Sequence, residues 1–148
     1  MADVHLTRTF KTTLARLFEV VTQEANILQW FGFDGMVFPD HQMDLGRTGP
    51  WHLQMRGADG ARYKLSGQVT RVQAPHSVSF TWGWHDEADQ RGAESRVTFT
   101  LLDLGDGRVR FDIDHRDLSS DEAATRHEQG WTMGALLRLE RLMASEDT

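Results

Sequence analysis

Among the seven histidines and 22 acidic side chains of this 148-residue chain, His115, His127 and Glu128 are the ones placed by spacing where they could move protons. A histidine changes charge near neutrality and serves as general acid or base. A carboxylate withdrawn from water either keeps its proton or orients a polar group. Helical projection puts Glu128 inside an apolar arc, between Ala124 and Trp131. The plainer account is that Glu128 pairs with an arginine such as Arg8 or Arg71, or reaches water at a mouth. For both histidines the plainer account is hydrogen-bonded packing. They are weak candidates, and no catalytic residue is assigned. Metal chemistry has little support, since His127-Glu128 has no second histidine one turn on and the chain has no cysteine. No nucleophile elbow, phosphate-binding loop or dinucleotide fingerprint is present, and no cofactor is expected.

A second group of residues is suited to holding an apolar molecule. Trp51 and Leu53, Tyr63 and Leu65, Phe80, Trp82 and Trp84, Phe99, and Phe111 and Ile113 share inward parity on successive strands. Trp131 and Ala135 face them from the last helix, with Glu128 beside them, and Trp30 ends a short helix near the expected mouth. Aromatic and aliphatic walls with a few polar groups are typical of small-molecule sites. The same rings would equally well fill the space, and the sequence leaves lining and filling open.

These residues need elements to carry them. Val4–Phe10 alternates as a strand, and Thr12 or Thr13 caps a helix with a Leu14, Leu17, Phe18, Val21 stripe. A second short helix runs from Gln23 and stops at Gly32. The period then falls to two through about six strands: Met36–Phe38 continuing to Leu45, then the inward sets led by Trp51, Tyr63, Val78, Val97 and Val109. Asp59-Gly60 and Gly105-Asp106-Gly107 mark hairpins, and Asp86 to Glu94 reads as a mobile loop. Ser120 starts a long helix reaching Met143, with Ser145 to Thr148 as a frayed tail. Within it Gly130 and Gly134 each cost about 1 kcal/mol against alanine. They either give a ligand room or let the helix approach its neighbours closely. The pattern predicts an α+β fold in which an antiparallel sheet wraps one C-terminal helix, in one domain over residues 1–148.

Net charge of −6 and scattered arginines argue against nucleic acid. No stretch has the length of a membrane span and no leader is evident, which makes a reducing cytoplasm the expected setting.

Taken in order, Arg8-Thr9-Phe10, Trp30-Phe31-Gly32, Asp59-Gly60, Thr81-Trp82-Gly83-Trp84, Val97-Thr98-Phe99 and His127-Glu128-Gln129-Gly130-Trp131, with Leu136 and Leu139, carry a resemblance. Over Leu6 to Leu142 the chain resembles the single-domain bacterial branch of the activator-of-heat-shock-protein-ATPase homologue family. That family lies in the START/Bet v (SRPBCC) superfamily. Thr12-Thr13 replaces the Ala-Pro often found there, and Gly46-Arg47-Thr48-Gly49 replaces an Arg-Pro-Gly-Gly type turn. The resemblance implies a helix-grip fold of six to seven strands and an apolar cavity between helix and sheet. The expected role is non-enzymatic binding of a small hydrophobic or amphipathic ligand. The alternatives are a polyketide cyclase or dehydratase-like enzyme using Glu128, His127 or His115, and a stress-related chaperone partner. Composition does not decide on a homodimer.

Overall fold

The computed structural model describes residues 2–146. Seven strands form one antiparallel sheet: β1 (Ala2–Lys11), β2 (His41–Gln42), β3 (Gly49–Arg56), β4 (Arg62–Gln73), β5 (Ser77–His85), β6 (Arg91–Asp103) and β7 (Arg108–Leu118). Their spatial order is β1-β7-β6-β5-β4-β3-β2, so each hairpin places sequence neighbours side by side and only β1 crosses to the far edge. The crossover carries α1 (Leu14–Thr22) and α2 (Glu24–Trp30). After β7 come α3 (Asp121–Gly130), a π turn (Trp131–Ala135) and α4 (Leu136–Glu146), which together make a 26-residue rod. The sheet curves around this rod, as the helix-grip expectation requires.

Local chemistry sets the helix starts. The Thr13 hydroxyl accepts from the Arg16 N–H at 3.2 Å, and the Ser120 hydroxyl accepts from the Ala123 N–H at 3.0 Å. Asp121 and Glu122 occupy the first turn of α3, where the exposed N–H groups favour negative charge.

Three boundaries differ from the sequence expectation. Val37 makes only an isolated bridge to Arg56, and the ladder forms later at His41–Gln42. Pro39, which has no N–H to give, interrupts the stretch between them. The expected mobile loop shrinks to residues 86–90, because the Asp86 carboxylate accepts from the N–H groups of Ala88 and Gln90, each at 2.9 Å. Arg91 to Glu94 therefore belong to β6. At the end, Ser145 and Glu146 remain helical, and Arg16 holds Glu146 with bonds of 3.0 and 2.6 Å. The last two residues of the expected tail, Asp147 and Thr148, lie outside the described residues.

The rod explains a larger departure. Ala123, Trp131, Ala135, Leu139 and Met143 are buried, and half-buried His127 continues their spacing of four. In an uninterrupted α-helix a spacing of four precesses by about 40° per step and would wind off the sheet. The π turn holds one extra residue and brings the phase back. Projection as a plain α-helix put Ala124, Trp131, Ala135, Leu139 and Leu142 on one face with Glu128 inside it, and Trp131, Ala135 and Leu139 are indeed buried. In the structure Ala124 is half-buried and Glu128 is exposed to water. Of the two plainer accounts of Glu128, contact with water is the one the structure shows; Arg8 pairs elsewhere, its Nε bonding to Glu140 Oε1 at 2.8 Å and tying β1 to α4.

Candidate functional site

A cavity of about 670 Å³ opens where β3, β4 and β5 meet the first half of the rod. Met55, Tyr63, Trp82, Trp84 and His85 supply the sheet side, and Arg126, His127, Gln129, Gly130, Trp131 and Ala135 the helix side. Phe31, Gly32, Phe33 and Met36, which follow α2, form the lip.

Five of the residues expected to hold a ligand are brought together here: Tyr63, Trp82, Trp84, Trp131 and Ala135. Eight are placed elsewhere. Trp30, Trp51, Leu53, Leu65, Phe80, Phe99, Phe111 and Ile113 are packed into the core behind the cavity. Trp30 was expected near the mouth, but it is fully buried and donates its indole N–H to the Val20 carbonyl at 2.9 Å. Parity finds the inward face of a strand, yet it does not say how far along the strand the helix lifts off. Toward the β2 edge and the α1–α2 side the space is filled, and toward His85 and Gly130 it is open. Glu128 is outside the wall altogether.

Sequence reasoning passed over Phe33, Met36, His85, Arg126 and Gln129 as site residues. Phe31 and Met55 were legible only as core. Phe33 lies in an irregular stretch with no period to read, and Met36 was read as the start of a strand, whereas the structure leaves it in the turn before the Val37 bridge. The lip is held by two arginines of the rod. Arg138 reaches the carbonyls of Gln29 at 3.1 Å and Phe33 at 3.3 Å, and also that of Phe31. Arg141 grips both carboxylate oxygens of Asp34 at 2.7 Å. Partial burial lowers the Arg138 pKa from its ordinary value despite the nearby Asp34 charge.

The two glycines of the rod have different surroundings. A Cβ on Gly134 would stand 2.9 Å from the Gly32 carbonyl oxygen and 3.1 Å from the Phe33 ring, so this glycine permits close approach to the lip. At Gly130 a Cβ would meet nothing within 4 Å. That glycine faces the open cavity.

The histidines are adjacent, with ring centroids 4.9 Å apart, and each accepts a bond from an indole. Trp131 Nε1 donates to His115 Nδ1 at 3.1 Å, and Trp84 Nε1 donates to His127 Nε2 at 2.9 Å. An indole nitrogen is only a donor, so both accepting nitrogens carry lone pairs and both rings are neutral. His115 Nε2 then donates to the Ser95 hydroxyl at 2.8 Å, and His127 Nδ1 donates to the Ala123 carbonyl at 2.7 Å. Burial, reinforced by nearby His127, pushes the His115 pKa down to about 3. Burial likewise lowers that of His127, with a smaller push from Arg126 and an opposing pull from the Ala123 carbonyl. All four ring nitrogens are engaged, His115 is fully enclosed, and Glu128 is exposed to water and does not line the wall. The three proton-moving candidates do not converge on one reacting centre.

Among the described residues no group of three or more His, Cys, Asp or Glu side chains is placed to hold a metal ion. No helix among them is long and apolar enough to cross a membrane.

The profile of the family described as "Activator of Hsp90 ATPase homolog 1-like protein" matches residues 11–144. The chain belongs to the AHSA1-like family. The crystal structure of the AHSA1 protein from Silicibacter pomeroyi is similar at 46% identity and a TM-score of 0.92, covering 98% of this chain and 99% of that one. A Chromobacterium violaceum protein shares the fold at 15% identity and TM-score 0.82, over 95% of this chain and 96% of its own. A Mycobacterium smegmatis protein does so at 22% identity and TM-score 0.76, over 95% and 90%. No curated protein matches. AHSA1-like membership therefore rests on sequence and fold together, and the sequence resemblance is confirmed.

Proposed function

We propose that this AHSA1-like protein binds a small apolar or amphipathic molecule in the cavity between its sheet and its C-terminal rod. One observation carries the reading: a space of about 670 Å³ stands open among Phe31, Trp82, Trp84 and Trp131, beside a closely packed aromatic core. Packed interiors rarely keep voids larger than a water molecule. Apolar walls of this size are the usual setting for small ligands. Gly130, unfavourable in a helix and with open space where a side chain would stand, supports the same reading, because any larger residue there would occupy the space.

A proton-moving enzyme is the weaker reading, since both histidines have their nitrogens engaged and Glu128 faces water. The test is native mass spectrometry of the purified protein, together with titration by 1-anilinonaphthalene-8-sulfonate. The expected result is a co-purified small molecule or stoichiometric dye binding that Gly130→Leu abolishes. Bare protein with no dye binding overturns the proposal.

A further inference from the structure

The polar atoms of the cavity wall are sorted by kind. No aspartate or glutamate lines it, although the chain carries 22 of them. Both wall histidines have polar neighbours: His127 lies between Ala123 and Trp84, and His85 has Nε2 at 2.6 Å from the Ser66 hydroxyl and Nδ1 at 2.9 Å from Asp89 Oδ1, a charge contact out of line for a hydrogen bond. Trp84 has given its N–H to His127. Tyr63, Arg126 and Gln129 are exposed at the rim. What remains is Trp82. Its ring lines this cavity and a smaller one of about 120 Å³ beyond the Trp84–His127 pair, and only 4% of the residue is exposed. Its Nε1 is buried with no hydrogen-bond partner. Buried donors nearly always have an acceptor, and one without is a standing cost to the unliganded fold. Phenylalanine at this position would pack the same six neighbouring rings, those of Phe31, Trp51, Trp84, His115, His127 and Trp131, without that cost.

We infer that the ligand of this cavity presents an sp² oxygen, of the ketone, amide or carboxylate kind, to the indole N–H of Trp82. This rests on the binding reading above and names the chemistry of the occupant. A donor enclosed by rings is a selective reader. The N–H has under 1 Å² of its own surface open, so an acceptor meets it only as the ring edge turns toward the opening; it then gains a hydrogen bond out of water, whereas a ligand with only donors or hydrocarbon leaves the N–H unpaired. The absence of carboxylates from the wall, with Arg126 at the rim, agrees in sign, because both remaining features welcome an acceptor.

The experiment measures affinities of benzophenone and diphenylmethane, which differ by one carbonyl, for the intact protein and for Trp82→Phe. The affinity ratio of ketone to hydrocarbon is expected to fall about three- to tenfold in the variant, the size of one net hydrogen bond. In the ¹H–¹⁵N spectrum the indole resonance lost in Trp82→Phe should move with benzophenone and stay nearly still with diphenylmethane. This second readout needs no affinity from the variant. An unchanged ratio, or a Trp82 resonance that ignores bound benzophenone, overturns the inference and leaves the binding reading standing. If neither compound binds the intact protein, the inference falls, and the dye titration and native mass spectrometry decide the binding reading separately.

Discussion

Trp131 donates its indole N–H to Nδ1 of His115 at 3.1 Å, and that contact fixes the charge of a histidine with no exposure to water. Protonating Nδ1 would set two N–H groups against each other, in addition to desolvating the cation.

A pH dependence follows. Unfolded, His115 takes up a proton near 6.5, and folded only at about 3. Between these values the unfolded chain binds more protons. Stability should therefore fall as pH drops from about 6.5 toward 3, by up to about 1.4 kcal/mol per pH unit, with a constant contribution above that range. Urea denaturation at a series of pH values reads this directly. His115→Gln should be less stable near neutrality and show a flatter profile, and parallel profiles would contradict the assignment.

The neighbouring pair predicts a pKa. The Trp84 N–H stabilises neutral His127, so Trp84→Phe frees Nε2 and should raise the His127 pKa back toward its ordinary value. An NMR titration of the imidazole protons in both proteins measures the change. No upward movement would mean the indole contact has no hold on the ring.

Gly130 and Gly134 should respond oppositely to alanine. Gly130→Ala should stabilise by up to about 1 kcal/mol through helix propensity alone. Gly134→Ala drives a methyl group against the Gly32 carbonyl and the Phe33 ring and should destabilise by about 1–3 kcal/mol. Thermal melts of the two variants decide it, and matching shifts would refute the asymmetry.

Arg138 anchors the lip through three backbone carbonyls that a lysine ammonium cannot span in the same geometry. Arg138→Lys should lose about 1.5–3 kcal/mol, nearly as much as Arg138→Met, and should weaken dye binding through a loosened Phe31–Phe33 segment. Lysine restoring full stability would show that charge alone suffices.

The element order, both Asp-Gly hairpins and the terminal helix were legible because alternation and turn residues are local signals, whereas the pairing of β1 with β7 left no local mark. Trp82, Trp84 and Trp131 were placed at the cavity by parity. Glu128 was misplaced because the projection assumed an unbroken α-helix. The spacing of four from Ala123 through Trp131 to Met143, together with Gly130 and Gly134, was the available trace of the π turn. Trp30 and Phe99 were not separable from cavity residues, since a ring that fills and a ring that lines follow the same pattern. The anchoring of the lip by Arg138 joins positions over a hundred residues apart and leaves no local mark.

The indole cluster has a spectroscopic consequence. Trp82 lies 5.4 Å from Trp131, 5.8 Å from Trp84 and 6.1 Å from Trp51, centroid to centroid. At such separations excitation migrates among the four rings faster than it is emitted. Excitation absorbed in the core is thus shared with the rings that border the opening, and the protein carries its own optical reporter of whatever enters.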